Sequence, residues 1–103
     1  MIKVIIFYPN GPDTKFDMAY YTGRHLPLVQ KKCGAACKGV AAERGLSGAE
    51  PGSKPTYAAI GYLTFDSVDS FQNSFGPHAG EIVADVPNYT NSKPLVQIVE
   101  VVG

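Results

Sequence analysis

The first and last strand-forming stretches of this chain are apolar on both faces, and this constrains its fold more than any other feature. Lys3 to Tyr8 reads KVIIFY, with Val4, Ile6 and Tyr8 on one side and Ile5 and Phe7 on the other. Leu95 to Val102 reads LVQIVEVV, where Leu95, Gln97, Val99 and Val101 oppose Val96, Ile98, Glu100 and Val102. An antiparallel sheet with one wet face alternates apolar and polar residues, and these stretches do not. Two helices can cover only one face of a four-stranded sheet. The second face therefore needs another cover, and the simplest is a second copy packed sheet against sheet about a two-fold axis.

The other elements follow from local signals. Pro9-Asn10-Gly11-Pro12 ends the first strand, and Asp13 or Thr14 is expected to cap a helix running to about Arg24. Phe16, Ala19, Tyr20 and Gly23 recur on its inner face. Pro27 should bend the helix near Leu26, with a last turn through Lys32. Gly39 to Leu46 is a weak strand, 47–55 a Pro/Gly-rich connection, and Tyr57 to Phe65 a clear strand in which Gly61 marks a bulge or a close approach. Asp66 or Ser67 caps a second helix carrying Val68, Phe71 and Phe75. Gly76-Pro77 interrupts it before it restarts through about Ala84, and 86–94 reads as loop. The order β-α-β-β-α-β is the ferredoxin-like, split βαβ pattern of an α+β fold with a four-stranded antiparallel sheet.

Length and charge narrow the partners. The 103 residues are expected to form one domain, 1–103. Nine Lys+Arg balance nine Asp+Glu, so the basic excess that phosphate backbones demand is missing and nucleic acid is excluded as a partner. No Lys/Arg cluster suggests a membrane surface, and no apolar run approaches the roughly 18 to 20 residues of a span. Met1 to Pro9 lacks the basic start and small-residue cleavage site of a signal peptide, so a cytoplasmic location is expected. Cys33 and Cys37 form C-x3-C, neither a C-x-x-C redox pair nor half of a complete zinc site. They read as reduced structural thiols, with a disulfide or transient metal site as the alternative.

Few residues can carry chemistry. His25 titrates near neutral pH when unperturbed, and it shares a helical stripe with Asp17 and Tyr21. Tyr21 lies close enough to touch the ring, while Asp17 is two turns away. His25 is thus either a proton-transfer group in a partly apolar pocket or a structural histidine bonded to a carbonyl freed by Pro27. His78 follows Pro77 at a helix start, where it either meets solvent or helps hold an anionic group. Tyr8, Tyr57, Tyr62 and Tyr89 suit core or interface positions as well as ligand contact. G-x-S-x-G, G-x-x-x-x-G-K-[ST] and G-x-G-x-x-G are all missing, so no nucleotide or flavin cofactor has a fingerprint.

Phe16-Asp17-x-x-Tyr20-Tyr21-x-x-x-His25-x-Pro27-Leu28, after a Phe7-Tyr8-Pro9 strand end, resembles the signature of the EthD family. Phe75-Gly76-Pro77-His78, then Ala84 through Thr90, then Pro94 resemble its C-terminal half, while 33–54 match least well. The family is named for an association with bacterial ethyl tert-butyl ether degradation. The resemblance implies a ferredoxin-like domain that pairs into a dimeric α+β barrel. It also implies kinship with a methylmuconolactone isomerase and with fungal polyketide-pathway dehydratases, both cofactor-free. In the isomerase-like relatives a histidine at the H-x-P-L position, here His25, handles protons.

These readings together give a homodimer that binds a small hydrophobic, oxygenated metabolite and needs no cofactor or metal. His25 is the candidate catalytic acid/base, and Tyr8, Tyr20, Tyr21, Leu28, Tyr62 and His78 are the candidate substrate-binding residues. The alternatives are a non-catalytic accessory protein to an oxygenase partner and a haem-type or cofactor-free monooxygenase of the same barrel superfamily.

Overall fold

A computed structural model describes all of residues 1–103. Four strands, β1 (Ile2–Pro9), β2 (Gly39–Arg44), β3 (Tyr57–Phe65) and β4 (Leu95–Glu100), form one antiparallel sheet in the order β2-β3-β1-β4. Between β1 and β2 run helix α1 (Met18–Tyr20), a wide π-type turn (Tyr21–His25) and helix α2 (Leu26–Cys33). Between β3 and β4 run α3 (Val68–Phe75), a 3-10 turn (Gly76–His78) and α4 (Ala79–Ala84). This is the α+β ferredoxin-like fold.

The first helix starts later than Asp13 or Thr14. Its cap is Asp17, whose carboxylate accepts the Tyr20 amide at 3.0 Å. The preceding residues are held extended against the segment before β4. Phe16 pairs with Thr90, the Thr90 hydroxyl donates to the Lys15 carbonyl at 2.6 Å, and the Asp17 amide donates to the Tyr89 carbonyl at 2.8 Å. These bonds occupy the backbone that an earlier helix would need. The bend expected at Leu26 is also replaced. The Leu26 amide donates to the Tyr21 carbonyl, five residues back, and Pro27 falls in the first turn of α2, where its missing N–H costs nothing.

The second helical segment follows its reading closely. The Ser67 hydroxyl caps α3 by accepting the Ser70 amide at 3.0 Å, and Gly76-Pro77 sits in the 3-10 turn before α4. The stretch 86–94 opens with a short 3-10 turn, Val86–Asn88. Strand β4 ends at Glu100, short of Val102, because β1 begins at Ile2 and the last pairing bond joins the Val101 amide to the Met1 carbonyl.

The core lies between the helices and one sheet face. Val4 and Tyr8 of β1 pack with Ala59, Leu63 and Phe65 of β3 and with Tyr21, Leu26 and Val29 from the helices, all buried. Each fully buried aliphatic or aromatic side chain of this kind stabilises by roughly 1.5–3 kcal/mol. The opposite face carries Lys3, Ile5, Phe7, Ile60, Tyr62 and Thr64, half-buried, with Leu95 exposed beside Phe7. It holds one polar cluster: the Tyr62 hydroxyl donates to Glu43 at 2.7 Å, and the Lys3 ammonium lies 5.6 Å above the Tyr62 ring.

Gly61 marks a close approach, not a bulge. It pairs in register with Ile6 and Ala42, and a methyl group added there would overlap the Tyr21 hydroxyl. Gly61→Ala should therefore destabilise by about 1–3 kcal/mol, as overpacking does. Tyr21→Phe in the same chain should recover much of that loss, because it removes the oxygen that clashes. Urea denaturation of the two single variants and the double variant measures the coupling. A Gly61→Ala midpoint equal to that of the parent would contradict this packing.

Candidate functional site

A cavity of about 170 Å3 opens between the helices and the sheet. Its floor is Val4, Ile6 and Tyr8 of β1 and Leu63 of β3; Tyr21, His25, Leu26 and Val29 form the α1–α2 wall. Phe71, Phe75, Ile82, Val83 and Val86 form the opposite wall, and Pro94 and Val96 close the β4 edge. The rim is marked by Val83 and Val96, 61% and 59% exposed.

His25 is the one ionisable imidazole on this surface, and its residue is only 5% exposed. The wide turn presents its ring parallel to that of Tyr21, at 5.5 Å and 16°, and Tyr89 packs on it at 4.6 Å. The nitrogen Nδ1 lies 2.9 Å from Asp85 Oδ2. Asp85 follows the last residue of α4, where a helix dipole disfavours a carboxylate, so its ionised form needs other support. Three donors supply it: Tyr20 Oη at 2.6 Å, Asn88 Nδ2 at 2.9 Å and His25 Nδ1. Burial pushes the Asp85 carboxyl up, but these hydrogen bonds outweigh it and hold the pKa below its ordinary value.

An ionised Asp85 accepts, so Nδ1 carries the proton and Nε2 keeps its lone pair. Nε2 has no partner within the chain, yet no buried side-chain nitrogen or oxygen is left unpaired, so it is open to the cavity. Burial lowers the His25 pKa, with the Asp85 hydrogen bond opposing that shift in part. The imidazole is therefore a neutral base with a fixed tautomer.

Two phenols share the wall. Tyr8 donates to or accepts from Tyr89 at 2.7 Å between hydroxyl oxygens, and the Tyr21 hydroxyl approaches that of Tyr8. Burial pushes all three phenols far above the ordinary tyrosine value, so they remain protonated hydrogen-bonding groups.

Of the residues singled out in the sequence, Tyr8, Tyr21 and His25 meet at the cavity. Tyr20 stands behind it, bonded to Asp85. Leu28 is half-buried away from the lining, and its neighbours Leu26 and Val29 take that place because they point inward from α2. Tyr62 points to the other sheet face, as its register with Ile5 requires. His78 lies in the 3-10 turn, off the lining. The carbonyl partner considered for His25 is replaced by Asp85, and Asp17, on the same stripe, serves as the helix cap instead. Asp85 lies 60 positions from His25, beyond any local spacing rule. Its one sequence signal is its place at a helix C-terminus, where a carboxylate is unfavourable unless it is engaged elsewhere. Cys33 and Cys37 are free thiols, and burial raises the pKa of both.

The sign of the pH response follows. A histidine whose folded pKa lies below 6.5 binds its proton more readily when unfolded, so its contribution to stability is complete above that value and is lost as pH falls below it. Asp85 acts in the same direction at lower pH, contributing above 3.8 and losing that contribution as pH falls through its depressed folded value. NMR titration should place the His25 imidazole below 6.5, and Asp85→Asn should lower it further by removing the partner that favours the cation. A His25 that titrates above 6.5 would reverse this account.

Comparison with known proteins matches this arrangement to relatives. A ferredoxin-like protein described as dimeric from Thermobifida fusca superposes with a TM-score of 0.64 at 15% identity, over 97% of this chain and 90% of its own. A putative antibiotic biosynthesis monooxygenase from Bordetella bronchiseptica gives 0.64 at 21%, over 98% and 96%. At these identities the fold alone is shared. Among curated proteins none matches. An EthD-like protein from Ralstonia eutropha JMP134 is much nearer, with a TM-score of 0.94 and 39% identity over 99% of this chain and 92% of its own. The profile of the EthD domain matches residues 11–93, which contain His25 and Asp85 together, and the chain belongs to the EthD family.

Proposed function

We propose that this protein binds a small hydrophobic, oxygenated molecule in the cavity and moves a proton on it, without a cofactor, using His25 as general base and acid. The observation that carries this reading is the pairing of His25 Nδ1 with Asp85 at 2.9 Å while Nε2 faces an otherwise apolar cavity. Nε2 removes a proton from a carbon beside a carbonyl, or from a hydroxyl, and the imidazolium so formed is stabilised by the Asp85 carboxylate. A neutral phenol, Tyr21 or Tyr8, donates to the oxygen on which negative charge develops. Return of the proton to another carbon is an isomerisation; its delivery to a departing hydroxyl is a dehydration, releasing water.

The proton step is tested with 2-indanone in deuterated water, following loss of its α-protons by NMR. Wild-type protein should accelerate exchange above buffer. His25→Gln should reduce the acceleration by about 100-fold or more, within the range general base catalysis supplies. Binding without any acceleration would leave a non-catalytic accessory protein as the better reading. A haem-type monooxygenase finds less support in the cavity, whose volume of about 170 Å3 suits one ring, like the roughly 150 Å3 apolar cavity that takes benzene, better than a macrocycle.

We also infer a homodimer through the open sheet face. Ile5, Phe7, Ile60 and Leu95 make that face apolar, and no element of this chain covers it. The neighbour from Thermobifida fusca is described as dimeric, which accords with this assembly. Light scattering should give twice the 11.0 kDa chain mass, and Ile5→Lys should shift it to the monomer. A monomeric parent chain would remove the inference.

A further inference from the structure

The polarity of the cavity is confined to one wall and carries no positive charge. None of the fifteen residues that line it is Lys, Arg, Asp, Glu, Asn, Gln, Ser or Thr. The polar atoms available to a ligand are the hydroxyls of Tyr8 and Tyr21 and Nε2 of His25, all on the β1 and α1–α2 side. No Lys, Arg, Asp or Glu side chain lines the cavity with them, and the Asp85 carboxylate stands directly behind the imidazole. A ligand anion placed at this wall would have no cation to pair with and would face that carboxylate across one ring.

We propose that the ligand of this site is uncharged: a compound of about one ring with a carbonyl or hydroxyl head group, and without a carboxylate, sulfonate or phosphate. This deepens the binding reading above and rests on it. The head group sits against Nε2 and the two phenols, and the hydrocarbon part runs toward the rim at Val83 and Val96. The size follows from the cavity volume, about 170 Å3, beside a benzene-binding cavity of roughly 150 Å3. A carbonyl accepts from a phenol and a hydroxyl donates to Nε2, so either head satisfies the wall without ionisation.

An anionic ligand has two routes into the site, and both are costly. It can enter ionised and draw a proton onto Nε2, but burial already disfavours the imidazolium, and Asp85 already occupies the favourable position beside it. It can instead enter as the neutral acid, which is scarce near neutral pH because free carboxylic acids ionise around pH 4. Either route should weaken binding by roughly 100-fold or more relative to a neutral compound of the same shape.

Acetophenone and benzoate form such a pair, one ring bearing a methyl ketone or a carboxylate. Their affinities for the protein near neutral pH are measured by ligand-observed NMR. Acetophenone should bind at least about 100-fold more tightly than benzoate. Benzamide, neutral and of the same shape as benzoate, should bind within about tenfold of acetophenone, showing that charge and not shape sets the preference. Benzoate binding within about threefold of acetophenone, or benzamide binding as weakly as benzoate, would overturn the inference. If neither compound bound, the cavity reading itself would fall and this inference with it. Acetophenone binding without exchange of 2-indanone would instead remove the proton-transfer step and leave the charge preference standing.

Discussion

One seven-residue segment, Asp85 to Asn91, ties the helices, the sheet and the cavity together. Its first residue holds His25 and Tyr20 through one carboxylate. Four residues on, Tyr89 bonds the Tyr8 hydroxyl across the top of β1. Thr90 and Asn91 then tie down 13–16, through the Lys15 carbonyl, the Lys15 amide and the Asp13 carbonyl. The same contacts that delay the start of α1 to Met18 therefore set the height of His25 above the sheet. Losing the segment would cost the site and the helix start together, because both are anchored to the same backbone.

Aromatic packing makes this arrangement rigid. Tyr8, Phe16, Tyr21 and Tyr89 meet one another with ring centroids between 4.9 and 5.9 Å, at interplanar angles of 52° to 79°. Edge-to-face pairs of this kind add roughly 0.5–1.5 kcal/mol each beyond the area they bury. Tyr21 is fixed from a third side by Gly61, where β3 presents no side chain. The phenols thus combine two roles. Their rings fill the core at the junction of β1 and the first helix, and their hydroxyls gather on the one polar wall of an otherwise hydrocarbon cavity.

Residues whose partners lie close in sequence were legible; those defined by distant contacts were not. The strands followed from β-branched and aromatic runs, and Ser67, Gly76 and Pro77 marked the second helical segment by local chemistry alone. His25 and Tyr21 stood out for the same reason, being one helical turn apart. Asp13 and Thr14 misled because capping propensity is local, while the pairing of Phe16 with Thr90 that overrides it spans 74 positions. Tyr62 and Leu28 misled because residue type does not reveal the face: strand register turns Tyr62 away, and helix phase turns Leu26 and Val29 inward instead of Leu28. Asp85 was hidden by its 60-residue separation from His25, although its position after α4 is where an isolated carboxylate is least favoured.

The opposing influences on His25 suit proton transfer better than either would alone. Burial by itself would keep the imidazole neutral and make it a poor acceptor, since the cation formed on taking a proton would be stranded in a dry cavity. An Asp85 pairing in water-exposed surroundings would do the reverse and leave the ring protonated near neutral pH. Here the carboxylate is restrained by Tyr20 and Asn88, so it fixes the Nδ1 tautomer of the neutral ring and, in the proposed reaction, would stabilise the imidazolium once Nε2 had accepted a proton. The apolar walls keep Nε2 available by offering it no competing donor within the chain. If His25 acts as the proposed base, the dryness that keeps it neutral would also turn away ligands that carry a negative charge.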